Sequence, residues 1–239
     1  MAVTRRGYIF GAFILGVLSV LLILVAISSD SWVTELQVQD SSIRYGLFRG
    51  EITLQELGTP NINTLYMTCI TELNACALSC KTEEDARIIE VMDSPPVISF
   101  AFYVSTLVVL FLQLGVAVVA AGLAIINATK NPTEPIFGLP GCLWANGIAA
   151  ILGMVVLLMF GIYWRTSGLM EHLAISYIAL GLFIASPGLG YSYWVLITAI
   201  LCSLVNIGLI QGRAYLLERD PPPPTIKVDN HSDGTIFLY

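Results

Sequence analysis

Charge, histidine and clustered reactive groups are scarce in this sequence. Charged residues occupy 12% of its 239 positions, against about 25% in a typical soluble domain. The two histidines, His172 and His231, are far apart, which excludes a metal site built from several imidazoles. Four stretches (8–27, 97–126, 139–164 and 173–212) contain no Asp, Glu, Lys, Arg or His. That removes proton relays, pumps and charged ion pathways through them. No pair of groups suited to acid–base or nucleophilic work converges there either. The chain therefore reads as non-enzymatic, with no metal and no cofactor. Lys and Arg together number 11 against 17 acids, a net charge of −6, so the basic footprint of a nucleic-acid binder is missing.

What the chain does have is apolar length: 56% of residues are hydrophobic and the mean hydropathy is +0.79. About 20 apolar residues are enough to cross a bilayer. Tyr8–Ile27 meets that length and exceeds the about 7–15 apolar residues of a signal peptide. It reads as a retained helix although Ala26-Ile27-Ser28 loosely resembles a cleavage site. Val97–Ile126 and Leu139–Trp164 are the next two runs. Leu173–Gly212 is too long for one crossing and is broken by Pro187-Gly188-Leu189-Gly190. Its first piece, 173–186, has the length of a surface-lying, re-entrant or helix-extending segment, and its second piece has the length of a span.

The predicted fold is an all-α membrane protein, a four-transmembrane-helix bundle with a small extracellular β-sheet in the first outer loop. The divisions are an N-terminus at 1–7, spans at 8–29, 97–126, 139–164 and 191–212, an outer loop at 30–96, an inner loop at 127–138, a second outer loop at 165–190 and a tail at 213–239. Arg5, Arg6, Lys130, Arg213, Arg219 and Lys227 flank the spans, and such residues gather on the cytoplasmic side. Both termini and the loop at 127–138 are expected in the cytoplasm and the loops at 30–96 and 165–190 outside, in a multi-pass plasma-membrane protein.

The loop at 30–96 holds eleven of the seventeen acids. Trp32, Thr34, Leu36 and Val38 alternate with Val33, Glu35 and Gln37, a period-two strand pattern that Ile43, Tyr45 and Leu47 repeat. Thr82 with Asp85 resembles a capping box, and Pro95-Pro96 stops the helix that follows. Cys69, Cys76 and Cys80 lack the spacing of a zinc site. On the oxidising side they allow one disulfide with one thiol left over, the pair being open. Cys142 and Cys202 read as small packed residues.

Small residues punctuate the spans: Gly7 and Gly11 in the first, Ala117 and Ala121 in the second, and Gly141, Ala145, Ala149 and Gly153 in the third. At i, i+4 spacing they let helix backbones approach, either within one bundle or laterally against other membrane proteins. Asn146 and Asn206 are single amides suited to fixing helix register. The sequons at Asn127 and Asn230 fall on the expected inner side. The tail carries Pro221–Pro224 and ends Phe237-Leu238-Tyr239. Its alternate apolar side chains beside a free carboxylate suit strand addition to a cytoplasmic PDZ scaffold.

Trp32 precedes the string Arg44-Tyr45-Gly46-Leu47-Phe48-Arg49-Gly50-Glu51. Together with four spans and a long first loop, this resembles the claudin-like tetraspan superfamily, and within it the clarin signature of Tyr-Gly-Leu-Phe, a basic residue and Gly. Asn131-Pro132, Gly138, Gly141 and Asn146-Gly147 resemble the clarin entry into the third helix. Ser192-Tyr193-Trp194 with Asn206 resembles the entry into the fourth, and the terminal Tyr is similar too. The apolar 173–186, the cysteine positions and the lack of an outer-loop sequon depart from the pattern. The resemblance implies a loop fold that depends on Trp32, Tyr45, Gly46, Leu47, Phe48 and Gly50. It also implies a scaffold-like organiser of membrane assemblies of the kind linked to hearing and other sensory perception, to synapses and to actin-rich structures. An auxiliary subunit of a channel or receptor and a claudin-like junction protein are the alternatives.

Overall fold

A computed structural model describes residues 2–38, 41–56, 59–79, 81, 83–93, 98–129, 136–167 and 188–219. The segment 173–186, Cys80, Thr82, Pro221–Pro224, Phe237 and Tyr239 lie outside the described residues. Among the described residues, four helices are long and apolar enough to cross a membrane: α1 (Ala2–Ser28), α3 (Phe100–Thr129), α4 (Leu139–Thr166) and α5 (Tyr191–Arg219). A short helix, α2 (Glu84–Asp93), precedes the second of them.

The helices overrun the uncharged stretches. Loss of charge marks what fits in hydrocarbon, whereas backbone hydrogen bonding continues until a cap or breaker intervenes. The start of α3 is the exception, at Phe100 rather than Val97, because Ile98–Ser99 is a strand. The helix runs on to Thr129, whose hydroxyl donates to the Ile125 carbonyl at 2.9 Å. Likewise α5 continues past Gly212 to Arg219.

The helices form a ring in which α1 packs on α3 and α5, and α4 packs on the same two from the other side. Lipid gives helices no hydrophobic reason to associate, so close packing of small residues has to do it. The buried stripe of α1 runs Ile9, Ala12, Gly16, Ser19, Ile23 and Ala26. Against it stand Ala121, beside Gly16, and Ala124, in one cluster with Ala12. A Cβ on Gly16 would lie 3.2 Å from Ala121 Cβ.

Seven antiparallel strands form one sheet at one end of the bundle, in the order β6-β5-β4-β3-β2-β1-β7. They are β1 (Val33–Val38), β2 (Ser41–Tyr45), β3 (Arg49–Glu56), β4 (Thr59–Ile70), β5 (Ala75–Ser79), β6 (Ile98–Ser99) and β7 (Gly188–Leu189). Both two-residue edge strands run straight into a helix, β6 into α3 and, after Gly190, β7 into α5. The break read at Pro187–Gly190 therefore supplies a sheet edge. Edge strands this short leave little open backbone for unwanted pairing.

One apolar core runs from the bundle into the sheet. It joins Leu110, Val156, Phe160 and Leu196 of the helices to Trp32, Ile43, Ile52 and Leu65 of the loop. Sheet and bundle are one packed unit.

Candidate functional site

Sheet and bundle meet at a closely bonded junction around Trp32. Trp32 is 1% exposed at its centre. The indole N–H donates to the Ala26 carbonyl at 2.6 Å, satisfying one of the carbonyls that the end of α1 leaves open. Its ring meets Phe160 of α4 at 5.0 Å between centroids. The backbone around it is equally committed. Trp32 N–H donates to Tyr45 O, and Trp32 O accepts from Gly190 N–H, both at 2.8 Å.

Three glycines make this approach possible. A Cβ on Gly46 would sit 2.5 Å from the Ser29 carbonyl, and one on Gly50 would sit 2.7 Å from the Arg44 carbonyl. One on Gly190 would collide with the Ser31 carbonyl. Ser192, fully buried at the start of α5, donates to that same Ser31 carbonyl at 2.8 Å, and its hydroxyl also meets Ser29 Oγ. Tyr45 and Leu47 are buried beside Trp32. Phe48 departs from that group: its ring is 41% exposed, and its carbonyl, accepting from Met67 N–H at 3.1 Å, is what joins the sheet.

The cysteines act at the other sheet edge. Cys69 and Cys76 are directly opposed across β4 and β5 and are disulfide-bonded. The turn they close ends at Asn74, whose φ of 46° is left-handed, a conformation Asn tolerates better than most residues. From there Asn74 caps α3. Its carbonyl accepts from Phe100 N–H at 3.1 Å, and its Oδ1 accepts from Ala101 N–H at 3.0 Å. The first N–H groups of a helix have no partner within it, and a hairpin 26 residues upstream supplies one here. Tyr163 of α4 completes the contact, its hydroxyl accepting from Ser99 N–H at 3.0 Å while its ring stacks on Phe102.

Deeper in the bundle the two amides meet. Asn206 Nδ2 donates to Asn146 Oδ1 at 3.2 Å, and Asn146 Nδ2 donates to the Cys142 carbonyl at 2.8 Å. Gln113, 1% exposed, packs where a Cβ on Gly153 would lie 2.5 Å from its Nε2. Its Oε1 has no hydrogen-bond partner. It is the one amide in the second uncharged run, the same signal that marked Asn146 and Asn206.

Of the small residues named from the sequence, Ala117, Ala121, Ala145, Ala149 and Gly153 are buried between helices. Gly141 is close to the Ile136 carbonyl of the preceding turn. Gly11 touches only the end of Leu209. Gly7 is exposed and a Cβ there would meet nothing within 4 Å, so it packs against none of the described helices. The helical repeat turns it away from the stripe, and Ala12 with Gly16 holds that place. Asn127 is 7% exposed, and its Nδ2 donates to the Leu123 and Phe137 carbonyls, both at 2.8 Å. Among the described residues no group of three or more His, Cys, Asp or Glu lies together.

No protein-family model matches the chain. It is 23% identical to Clarin-3 of Homo sapiens over 219 residues, 88% of each chain. By that similarity and this architecture, the chain resembles a clarin and has the four apolar helices of a tetraspan membrane protein.

Proposed function

We propose that the chain is a non-enzymatic organiser of membrane-protein assemblies at the plasma membrane. The sheet would face outward and both termini the cytoplasm. The observation that supports this best is the shared core of sheet and bundle. A surface carried on that core keeps a fixed height and tilt above the bilayer, as a recognition platform requires. Ile62 and Tyr66 of β4 point by strand alternation to the face opposite the buried Leu65. Both are exposed, Ile62 at 60%, and Arg87 of α2 lies over the Tyr66 ring at 5.6 Å. An aromatic and an aliphatic side chain beside a basic residue resemble the apolar anchors of protein interfaces.

The residues at the junction serve the platform rather than contact a partner. Phe237 and Tyr239 would tether the assembly to a PDZ scaffold. Clarin-like proteins linked to sensory cells and synapses supply the expected setting.

Affinity purification in mild detergent tests this, using the wild-type chain, Ile62→Arg, and a chain ending at 234. Ile62→Arg should lose outer partners and keep cytoplasmic ones, and the truncation should do the reverse. An unchanged partner set in both would overturn the proposal. One dominant channel or receptor subunit, with altered currents, would replace it with the auxiliary-subunit reading. Self-association at cell–cell contacts would favour a junction protein.

A further inference from the structure

At the end of the bundle away from the sheet, a groove of about 620 Å³ opens between α3 and α4. Gly115, Val119 and Leu123 form one wall, and Pro140, Gly141 and Trp144 form the other. Its volume is that of a small-molecule site, about 300–1,000 Å³. The mouth is built by specific bonds. The buried Asn127 amide ties the Phe137 carbonyl to α3, and Cys142 N–H donates to the Gly138 carbonyl at 3.2 Å. Gly141 lets the Ile136 carbonyl lie against α4. The turn at 136–138 is thereby pinned with Ile136 72% exposed at the rim.

Depth identifies the occupant. At about 1.5 Å per residue, the 28 residues of α4 span about 42 Å, against about 30 Å of hydrocarbon. Centred, the helix projects about 6 Å at each end, and Trp144 lies about 7.5 Å in from Leu139. The 71%-exposed Trp144 indole therefore sits at the boundary between headgroups and hydrocarbon, the depth at which Trp concentrates. Gly115 is near the middle of the 30-residue α3. The groove thus begins at headgroup level, runs about 12 Å inward and stops near the midplane.

The groove opens between exposed apolar side chains of two span-length helices, Val119 of α3 and Trp144 and Ile148 of α4, so its occupant comes from the bilayer. A flexible acyl chain loses rotational freedom on entering a pinned slot, whereas a rigid ring system loses little. We propose that this groove binds a membrane sterol from the leaflet away from the sheet. The fused rings would lie between Pro140 and the open face of Gly115, and the hydroxyl would accept from the Trp144 indole N–H at headgroup level.

The full-length chain in phosphatidylcholine vesicles would be labelled with a diazirine-bearing cholesterol analogue, with and without excess cholesterol. A parallel arm would use phosphatidylcholine with a diazirine on its acyl chain. Adducts that cholesterol competes away should concentrate in peptides covering 115–123 and 136–148. Gly115→Leu should lower them about tenfold, a loss on the order of 1.4 kcal/mol. A Cβ at 115 meets nothing within 4 Å, so the new side chain fills the groove without disturbing the fold. Gly208→Leu, equally unobstructed on the exposed side of α5, should leave labelling unchanged. Trp144→Phe, which keeps a ring and removes the N–H, should weaken it several-fold. The proposal is overturned by sterol adducts spread evenly around the helices, by an equal competable pattern from the acyl probe, by labelling indifferent to Gly115→Leu, or by crosslinked dimers that exclude both lipids.

Discussion

Trp32→Ala removes the plug between sheet and bundle, and its cost can be built from the contacts it loses. Deleting a fully buried Trp costs about 3–5 kcal/mol through lost transfer energy and an unfilled cavity. The tilted contact with Phe160 belongs to the class of aromatic pairs worth about 0.5–1.5 kcal/mol beyond burial. The bond from the indole to Ala26 O contributes about 1 kcal/mol. Trp32→Phe separates these effects. It keeps a ring against Phe160 and loses the donor, while Ser29 Oγ still reaches Ala26 O at 3.3 Å, so about 1–2 kcal/mol is expected. Phe48→Ala, in the same signature with an exposed ring, should cost less than about 1 kcal/mol. Reversible unfolding in mixed micelles measures all three. Equal values for Trp32→Ala and Phe48→Ala would refute the idea that sheet and bundle share a core.

Replacing Cys69 and Cys76 together by Ser opens an eight-residue loop and should cost about 2.5 kcal/mol by the chain-entropy relation. Hydrogen exchange should then rise first at Phe100 and Ala101, which lose the fixed Asn74 cap; protection unchanged at those two amides would refute the link. Asn146→Leu and Asn206→Leu should show a coupling of about 0.6 kcal/mol, with about 1.7 as the ceiling for such pairs; a double-mutant cycle that sums additively would contradict the bond. Gly16→Leu should destabilise by about 1–3 kcal/mol through overpacking, because Ala121 stands 3.2 Å from the added Cβ. Gly7→Leu should fall within about 0.5 kcal/mol of wild type, and equal melting shifts for the two glycine variants would sink the assigned packing face.

The spans were legible because a bilayer demands length without charge, a one-dimensional property. The strands were legible only where one face is buried: in β2, Ile43 and Tyr45 are buried on either side of the exposed Arg44, but the first six residues of β4 are exposed throughout and β5 is buried almost throughout. Neither pattern has a period to read. The disulfide pair could not be chosen from three cysteines, because it is the register of β4 against β5 that opposes Cys69 to Cys76. Small-residue spacing showed that helices pack closely and not which stripe does so, which is how Gly7 came to stand for Gly16. Asn74 gave no signal, since its partners lie in another element. Trp32, Gly46 and Gly50 were marked by resemblance, and the structure supplies physical reasons: a carbonyl to cap, and backbone where a Cβ would go.

Everything proposed for the sheet and the tail depends on their lying on opposite sides of the membrane. Epitopes inserted between 57 and 58, in the sequence between β3 and β4, and appended after Tyr239 test this in one preparation of cells. Antibody should reach the first on intact cells and the second only after permeabilisation. Labelling of both epitopes on intact cells would contradict the account.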